Sequence, residues 1–210
     1  MKQESRTLTP PRRFKIASES GGAPWHVEWY DEIDSTMSRA AEMAAAGAPA
    51  RSVVVADYQS AGRGTHGRSW VAPPGTCLMF SVILQQRIEL EDLPELPRRI
   101  AQALSRALQG QTGLPISVKD PNDLLIGGKK LAGVLCQSHI RSERVEWIIC
   151  GIGLNTNLSE SEITVPGSTS LRIESGGTVD HRAILEELLG AFDRLQDDAD
   201  SVEVLARAET

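Results

Sequence analysis

The spacing of apolar residues along the chain predicts several strands. Short runs rich in β-branched and other apolar residues are typical of buried strands. They occur at HVEWYDEI (26–33), SVVVADY (52–58), TCLMFSVIL (76–84), ISVK (116–119), DLLI (123–126), KKLAGVLCQ (129–137) and WIICGIGLN (147–155). Gly127-Gly128 separates two of these runs and predicts a hairpin, because glycine tolerates the positive φ of a tight turn.

Helical spacing predicts at least three helices between and after these strands. Asp34-Ser35-Thr36 provides side chains that cap a helix, and an alanine-rich stretch follows from Met37 to Ala46. Apolar residues recur every three or four positions from residue 93 to residue 108, until Gly110 ends the pattern. Asp180 starts another helix, whose apolar face is Ile184, Leu185, Leu188, Leu189, Phe192 and Leu195. Hairpins mixed with separated helices indicate an α+β protein.

Composition places the chain among ordinary globular proteins. The 210 residues are 40% hydrophobic and 24% charged, with a net charge of -6, which argues against a nucleic-acid binder that relies on overall positive charge. No apolar stretch approaches the ~20 residues of a membrane span, and no secretory signal is visible, so we expect a cytoplasmic protein without membrane contact. Residues 1–24 are rich in Pro, Ser, Gly and charge and predict a flexible leader, followed by one domain over residues 25–200.

Cysteine and histidine give no sign of a metal site. Cys77, Cys136 and Cys150 each lie in an apolar run without paired-ligand spacing, which is typical of small buried hydrophobes. The four histidines are scattered along the chain. We therefore predict no structural metal.

A glycine-rich loop follows the second predicted strand. Gly62 to Ser69 contains three glycines, two arginines and a histidine, so backbone N–H groups and cations can approach an anion without steric obstruction. The loop is close to the pattern G-x-x-x-x-G-K-[ST], with Arg68 in place of lysine. However, residues 70–75 include two prolines and cannot open the helix that this pattern requires. Taken alone, the loop would fit a solvated turn equally well.

Polar residues follow other predicted strands as well. Lys119 precedes Pro121-Asn122-Asp123, and a glycine pair, Gly151 and Gly153, precedes Asn155. The two glycines resemble the start of a dinucleotide-binding fingerprint, but the third glycine and the following helix are missing.

Taken in order, these motifs resemble the catalytic domain of biotin protein ligases, within the biotin/lipoate protein ligase family. The matching segments are Asp34-Ser35-Thr36, Gln59 with Gly62-Arg63-Gly64 and Gly67-Arg68-Ser69-Trp70, Lys119 with Pro121-Asn122-Asp123, Lys130-Leu131-Ala132-Gly133, and Gly151-Ile152-Gly153-Leu154-Asn155. The resemblance runs from about His26 to about Leu195. It implies a mixed β-sheet flanked by α-helices, which agrees with the α+β pattern.

The resemblance implies a two-step reaction. Biotin and MgATP give biotinyl-5′-AMP and pyrophosphate, and a lysine of a biotin carboxyl carrier protein, such as an acetyl-CoA carboxylase subunit, then takes the biotinyl group. A carboxylate that approaches an α-phosphate needs cations to offset the repulsion. By resemblance, the catalytic cations are Arg63, Arg68, Lys119 and Lys130.

The resemblance also implies the binding residues. For biotin they are Ser35, Thr36, Met37, Gln59, Gly62, Arg63, Gly64, Thr65, Lys130, Gly133 and Gly151. For the nucleotide they are Arg68, Trp70, Lys119, Asn122, Asp123 and Asn155, with Trp70 packing on adenine and Asp123 a ligand of Mg²⁺. Helix capping alone would explain Ser35 equally well, and ordinary strand-end positions would explain the glycines.

Two positions depart from the family pattern. Thr65 stands where most members have an arginine that helps to retain the adenylate, so we expect the intermediate to leak unless His66 compensates. Asp120 stands where tryptophan is usual, and we expect its side chain to point outward, because the residue before a proline is held extended.

The leader is also too short for the helix-turn-helix domain of repressor-type ligases, and the chain ends where a small C-terminal β domain usually follows. We therefore expect no DNA-binding role. We also expect the protein to be either a monomer or a homodimer.

Two other functions stay open. A lipoate or octanoate ligase would share the fold, although the R-R-x-S-G-G-G loop typical of lipoate ligases is missing. A catalytically weak module that holds biotin or biotinyl-AMP is favoured by Thr65, Asp120 and the missing C-terminal domain. The retained cations argue against such a module, because biotin binding alone does not need them.

Overall fold

A mixed sheet forms the centre of the molecule. The computed structural model describes residues 9–84 and 88–208, with side chains up to residue 195. Within these residues, eight strands form one sheet in the order β1-β2-β3-β4-β8-β7-β6-β5. β2 and β3 are parallel, and the other neighbouring pairs are antiparallel. The strands are β1 (Arg12–Ile16), β2 (Trp25–Tyr30), β3 (Ser52–Ala56), β4 (Cys77–Leu84), β5 (Ile116–Lys119), β6 (Asp123–Ile126), β7 (Lys129–Arg141) and β8 (Arg144–Asn155).

Helices pack on both faces of this sheet, which confirms the expected mixed sheet flanked by α-helices. They are α1 (Thr36–Ala45), α2 (Leu96–Thr112), α3 (Leu171–Ser175) and α4 (His181–Ala208). Successive side chains of a strand point to opposite faces, so Val53 and Val55 join the larger core with α2 and α4, whereas Val54 joins a smaller core with α1. Within the described residues, no helix has the length and apolarity that crossing a membrane would require.

Turn chemistry explains where several elements begin and end. Gly127 and Gly128 have φ of 56° and 78° and join β6 to β7, which confirms the predicted hairpin. The prediction that Gly110 ends the second helix is wrong, because α2 continues to Thr112 and stops at Gly113, whose φ of 70° is left-handed. Glycine costs only about 1 kcal/mol inside a helix, so the apolar contacts of α2 outweigh it.

Several features were not predicted, among them β1, the short helix α3 and the turn between β7 and β8. β1 lies inside residues 1–24, and its five residues pair with β2 although most of their side chains are exposed. The prediction of a flexible leader is therefore wrong for this stretch, and residues 1–8 lie outside the described residues. The turn between β7 and β8 was also missed, because Ser142 and Glu143 adopt positive φ without being glycine.

A buried carboxylate attaches the segment after β1 to α4. The side chain of Asp193 is 1% exposed. It accepts hydrogen bonds from Ser18 Oγ at 2.9 Å, from the Glu19 backbone N–H at 2.9 Å and from Arg51 Nη1 at 2.6 Å. One side chain thus connects the N-terminal segment, the turn before β3 and the last helix.

We expect Asp193→Ala to lower the free energy of unfolding by about 3–5 kcal/mol, because it leaves the Arg51 guanidinium without its buried carboxylate. Glu186→Ala is the matched control, since Glu186 forms an exposed i,i+4 pair with Arg182 on the same helix. That substitution should cost at most about 0.5 kcal/mol. Denaturant unfolding of both variants measures the difference, and equal losses would contradict the role given to Asp193.

Candidate functional site

A cleft opens on the α1 face of the sheet. Its volume is about 470 Å³, and we call it the first cleft. Its lining comes from the start of α1, the loop after β3, the glycine-rich loop and the central strands β7 and β8. The lining residues are Ser35, Thr36, Met37, Gln59, Arg63, Gly64, Thr65, Trp70, Asn122, Lys130, Gly133, Val134, Leu135, Gly151, Ile152 and Gly153.

Glycines form the floor of the first cleft. Gly151 and Gly153 alternate along β8, and Gly133 of β7 pairs with Gly153. A Cβ at Gly151 would lie 2.8 Å from Met37 Cγ, and a Cβ at Gly153 would lie 2.5 Å from the Trp70 ring. Glycine at these strand positions therefore lets Met37 and Trp70 lie directly on the backbone.

A chain of hydrogen bonds closes one end of the first cleft. The hydroxyl of Ser81 donates to Thr36 Oγ1 at 2.9 Å, and the Thr36 hydroxyl in turn donates to Gln59 Oε1 at 3.1 Å. Gln59 Oε1 also accepts the backbone N–H of Thr36 at 2.7 Å, and Gln59 Nε2 lies 3.2 Å from Met79 Sδ. Gln59 thus fixes the start of α1 from a distant loop.

Ser35 has a different role from the predicted helix cap. It is the residue before α1, but its hydroxyl makes no capping hydrogen bond, and the Gln59 carboxamide occupies that role instead. Ser35 is 1% exposed, and Oγ has no hydrogen-bond partner among the groups that the structure describes. A buried unpaired hydroxyl costs about 1–3 kcal/mol, so Ser35 is available to a ligand in the first cleft.

Cationic side chains line the other parts of the first cleft. Lys130 Nζ donates to Asp123 Oδ1 at 2.6 Å and lies 5.9 Å from the centroid of the Trp70 ring. Arg63 Nη2 donates to Ser38 Oγ at 2.9 Å, which holds the guanidinium near the start of α1. The cleft therefore has hydrogen-bonding groups at one end and positive charge beside its glycine floor.

The structure does not bring every predicted residue into this lining. Arg68 is exposed and its guanidinium folds back onto Thr65, with Nε 3.2 Å from the carbonyl and Nη2 3.0 Å from Oγ1. Lys119 is exposed at the end of β5. Gly62 is buried beside the Trp70 carbonyl, where a side chain would clash. Arg68 and Lys119 therefore stay predictions that the geometry of the first cleft does not support directly.

A second cleft of about 430 Å³ lies on the far side of Trp70, which lines both clefts. Its lining residues are Ser69, Trp70, Val71, Asn155, Leu158, Glu162, Ile163, Thr164, Val165 and Ser168. Asn155 Nδ2 donates to the Thr169 carbonyl at 2.9 Å, and Cys77 Sγ donates to Asn155 Oδ1 at 3.4 Å. Burial raises the pKa of the Cys77 thiol to about 12, so it remains a donor. Sequence reasoning found only Trp70 and Asn155 here.

The residues present do not form a resident metal site. Among the described side chains, no group of three or more His, Cys, Asp or Glu could hold a metal ion. Asp123, predicted as a Mg²⁺ ligand, instead accepts a hydrogen bond from Lys130.

Asp120 points away from both clefts. Its side chain is 72% exposed and lies 3.5 Å from Arg98 Nε. The expected outward orientation is confirmed, and Asp120 is not among the lining residues of either cleft.

Comparisons with known proteins place the chain in a family. Residues 29–155 match the model of the Biotin/lipoate A/B protein ligase family, and the chain belongs to this family. It is 34% identical over 185 residues to the bifunctional ligase/repressor BirA of Bacillus spizizenii, covering 87% of this chain and 56% of that protein. It is also 34% identical to the biotin–[acetyl-CoA-carboxylase] ligase of Paracoccus denitrificans, covering 80% and 72%. The chain thus spans about half the length of the Bacillus relative.

Solved structures agree with the family and the fold. The biotin protein ligase from Aquifex aeolicus in complex with biotin and ATP matches with a TM-score of 0.69 and 31% identity, over 80% of this chain and 68% of that one. The Leishmania major biotin protein ligase in complex with biotinyl-5-AMP matches with a TM-score of 0.70 and 26% identity, over 82% and 75%. The resemblance inferred from the sequence motifs is confirmed.

Proposed function

We propose that the protein is an ATP-dependent biotin protein ligase. It forms biotinyl-5′-AMP from biotin and ATP, and transfers biotin to a lysine of a biotin carboxyl carrier protein. One observation carries the proposal: the first cleft combines the unpaired buried hydroxyl of Ser35 at one end with Lys130 and Arg63 elsewhere in its lining.

The polar end of the first cleft suits the ureido ring of biotin. That ring carries two N–H donors and one carbonyl acceptor, and all three need partners in a buried site. Ser35 Oγ can donate to the carbonyl, while Thr36 Oγ1, which Gln59 holds in place, keeps a lone pair that can accept from a ring N–H. The apolar valeryl chain would then pass Met37 and the glycine floor.

The cationic residues suit the first half-reaction. A carboxylate oxygen of biotin attacks the α-phosphorus of ATP, the bond to the bridging oxygen breaks, and pyrophosphate leaves. Lys130 and Arg63 line the first cleft, where they would offset the repulsion between two anions and stabilise charge that develops in the transition state. In the second half-reaction, the acceptor amine attacks the biotinyl carbonyl, loses a proton and displaces AMP.

The second cleft suits the nucleotide. It is separated from the first cleft by the Trp70 indole, whose flat face can stack on a base. Trp70 Nε1 is buried without a partner among the described groups, which leaves a donor for a ligand. Magnesium would arrive with the phosphates of ATP as part of the substrate, since it commonly keeps waters and binds phosphate oxygens.

Named relatives support this choice over the alternatives. The relative from Paracoccus denitrificans is a biotin–[acetyl-CoA-carboxylase] ligase, and the similar Aquifex structure holds biotin and ATP. These names favour biotin over lipoate or octanoate, although the description of the family includes lipoate as well as biotin. The carrier-protein acceptor, the cytoplasmic location, the absence of nucleic acid and a monomeric or homodimeric state remain predictions.

Biotin-dependent exchange of labelled pyrophosphate into ATP tests the first half-reaction without an acceptor protein. We expect exchange with biotin and none with lipoate or octanoate.

Lys130→Ala should lower the exchange rate by about 10²- to 10³-fold, because it removes a cation from the reacting charges. Lys129→Ala is the matched control, since Lys129 is the exposed neighbour on β7 and lies outside the lining. Full exchange by Lys130→Ala would contradict the role of Lys130, and a folded wild type that binds biotin without exchange would favour the binding module.

Thr65 provides a second test. It lines the first cleft with a short side chain that accepts a hydrogen bond from Arg68. We predict that Thr65→Arg slows dissociation of biotinyl-AMP by roughly tenfold, because a further charged hydrogen bond to the adenylate contributes about 1.4 kcal/mol or more. Release of labelled adenylate measures this rate. Equal dissociation from the two proteins would show that the loop retains the intermediate without an arginine.

A further inference from the structure

Two cysteines face each other behind the floor of the first cleft. Cys136 of β7 and Cys150 of β8 are cross-strand partners, and their sulfur atoms lie 3.3 Å apart. Directly opposite residues of antiparallel strands have Cα atoms about 4.5–5.5 Å apart, within the span of about 4.4–6.8 Å that disulfides bridge. The register therefore permits a bond without a change of strand pairing.

The two cysteines are sequence neighbours of residues that line the first cleft, but their side chains lie on the opposite face of the sheet. Cys136 follows Leu135 and Cys150 precedes Gly151, and both of these neighbours line the cleft. Leu135 and Gly151 are themselves paired across the strands. Because successive residues point to opposite faces, the two thiols lie with the larger core, under the floor.

The two thiols differ in exposure. Cys150 is fully buried, whereas Cys136 is half-buried at the edge of the larger core. Burial raises the pKa of the Cys150 thiol well above its ordinary value. A small oxidant in solvent would therefore reach Cys136 first, and Cys150 would act as the resolving thiol.

We propose that Cys136 and Cys150 are an oxidisable pair that forms a cross-strand disulfide beneath the floor of the first cleft. The oxidant is a peroxide. Cys136 sulfur attacks one peroxide oxygen, the O–O bond breaks, and Cys136 sulfenic acid and water form. Cys150 sulfur then attacks the sulfenic sulfur, the S–O bond breaks, and a second water leaves. Two thiols and one hydrogen peroxide give one disulfide and two waters.

The bond alters the floor because the sulfurs must approach from 3.3 Å to about 2.05 Å. β7 and β8 are drawn together at the positions next to Leu135 and Gly151. Gly151 has little room to shift, since even a methyl group there would lie 2.8 Å from Met37. We therefore expect the oxidised protein to have a stiffer floor and a lower affinity for a ligand in the first cleft.

Peptide mapping after peroxide treatment tests the modification. The protein is treated with hydrogen peroxide, free thiols are alkylated, and unreduced peptides are analysed by mass spectrometry. We expect a Cys136–Cys150 linkage that dithiothreitol reverses, with Cys77 still alkylated. Cys136→Ser is the matched control and should leave Cys150 alkylated. Oxidation of Cys136 to the sulfinic acid beside a free Cys150, or a bond that involves Cys77 or a second chain, would overturn the proposal.

Hydrogen exchange tests the effect on the floor without a ligand. Amides of residues 133–135 and 151–153 should exchange at least about threefold more slowly in the oxidised protein, because the cross-link suppresses local opening. Peroxide-treated Cys136→Ser should exchange like the reduced wild type. Unchanged exchange in a sample with the mapped disulfide would overturn the link to the floor.

Calorimetric titration with biotin connects the pair to ligand binding, and this step rests on the proposed function. The oxidised wild type should bind at least about threefold more weakly than the reduced protein, a difference of about 0.65 kcal/mol. Reduction should restore the affinity. Equal affinities would overturn the effect on binding. No binding by the reduced wild type would count against the proposed function, while peptide mapping still decides the modification.

Discussion

The candidate site depends on three glycines in the middle of the sheet, where the lack of side chains leaves space for a cleft. Gly133, Gly151 and Gly153 lie on one face of β7 and β8, where any larger residue would fill the space. Because these glycines have no side chains, Met37 and Trp70 can approach the backbone. Residues of the opposite face, such as Cys150 and Leu154, are packed into the larger core. One face of β7 and β8 is therefore packed against the larger core, and the other face is open to the first cleft. The packing on the first face supports the floor that a ligand would contact on the second.

Polar groups around this floor are positioned by contacts that span long distances in sequence. Gln59 fixes the start of α1, and Ser81 of β4 extends the same hydrogen-bond chain. Asp123 holds the Lys130 ammonium beside Trp70. Because these partners belong to different elements, the site exists only when the sheet is complete. The Ser35 hydroxyl and the Trp70 indole N–H are exceptions, because both are buried without a partner among the described groups and leave hydrogen-bonding groups for the substrate.

Sequence patterns predicted the parts of the fold that are set by local chemistry. The apolar runs gave most of the central strands, and Gly127-Gly128 gave the hairpin, since both depend on burial or on backbone freedom at the residue itself. β1 was missed because an edge strand is held by backbone pairing and needs little apolar alternation. The turn at Ser142 and Glu143 was missed because it lacks the usual glycine.

The site was predicted in part for similar reasons. Motif resemblance located most of the first cleft, including Ser35, Gln59 and Lys130. It could not show that Gln59 takes the capping role expected of Ser35, because that contact joins residues 23 positions apart. The 158–168 side of the second cleft carries no periodic pattern and was not recognised. The cysteine partners were read separately as buried hydrophobes, since only strand register brings Cys136 and Cys150 together.

Calorimetric titration of biotin into Gly151→Ala tests most directly whether the glycine floor forms the binding site. The added methyl group would lie 2.8 Å from Met37 Cγ and Sδ, so Met37 or α1 must shift into the first cleft. Gly110→Ala is the control, because its Cβ would meet no atom within 4 Å. We expect the control to bind biotin like the wild type, and Gly151→Ala, with an unchanged fold, to bind at least about tenfold more weakly, which corresponds to about 1.4 kcal/mol. Wild-type affinity in Gly151→Ala would contradict the assignment of biotin to this cleft.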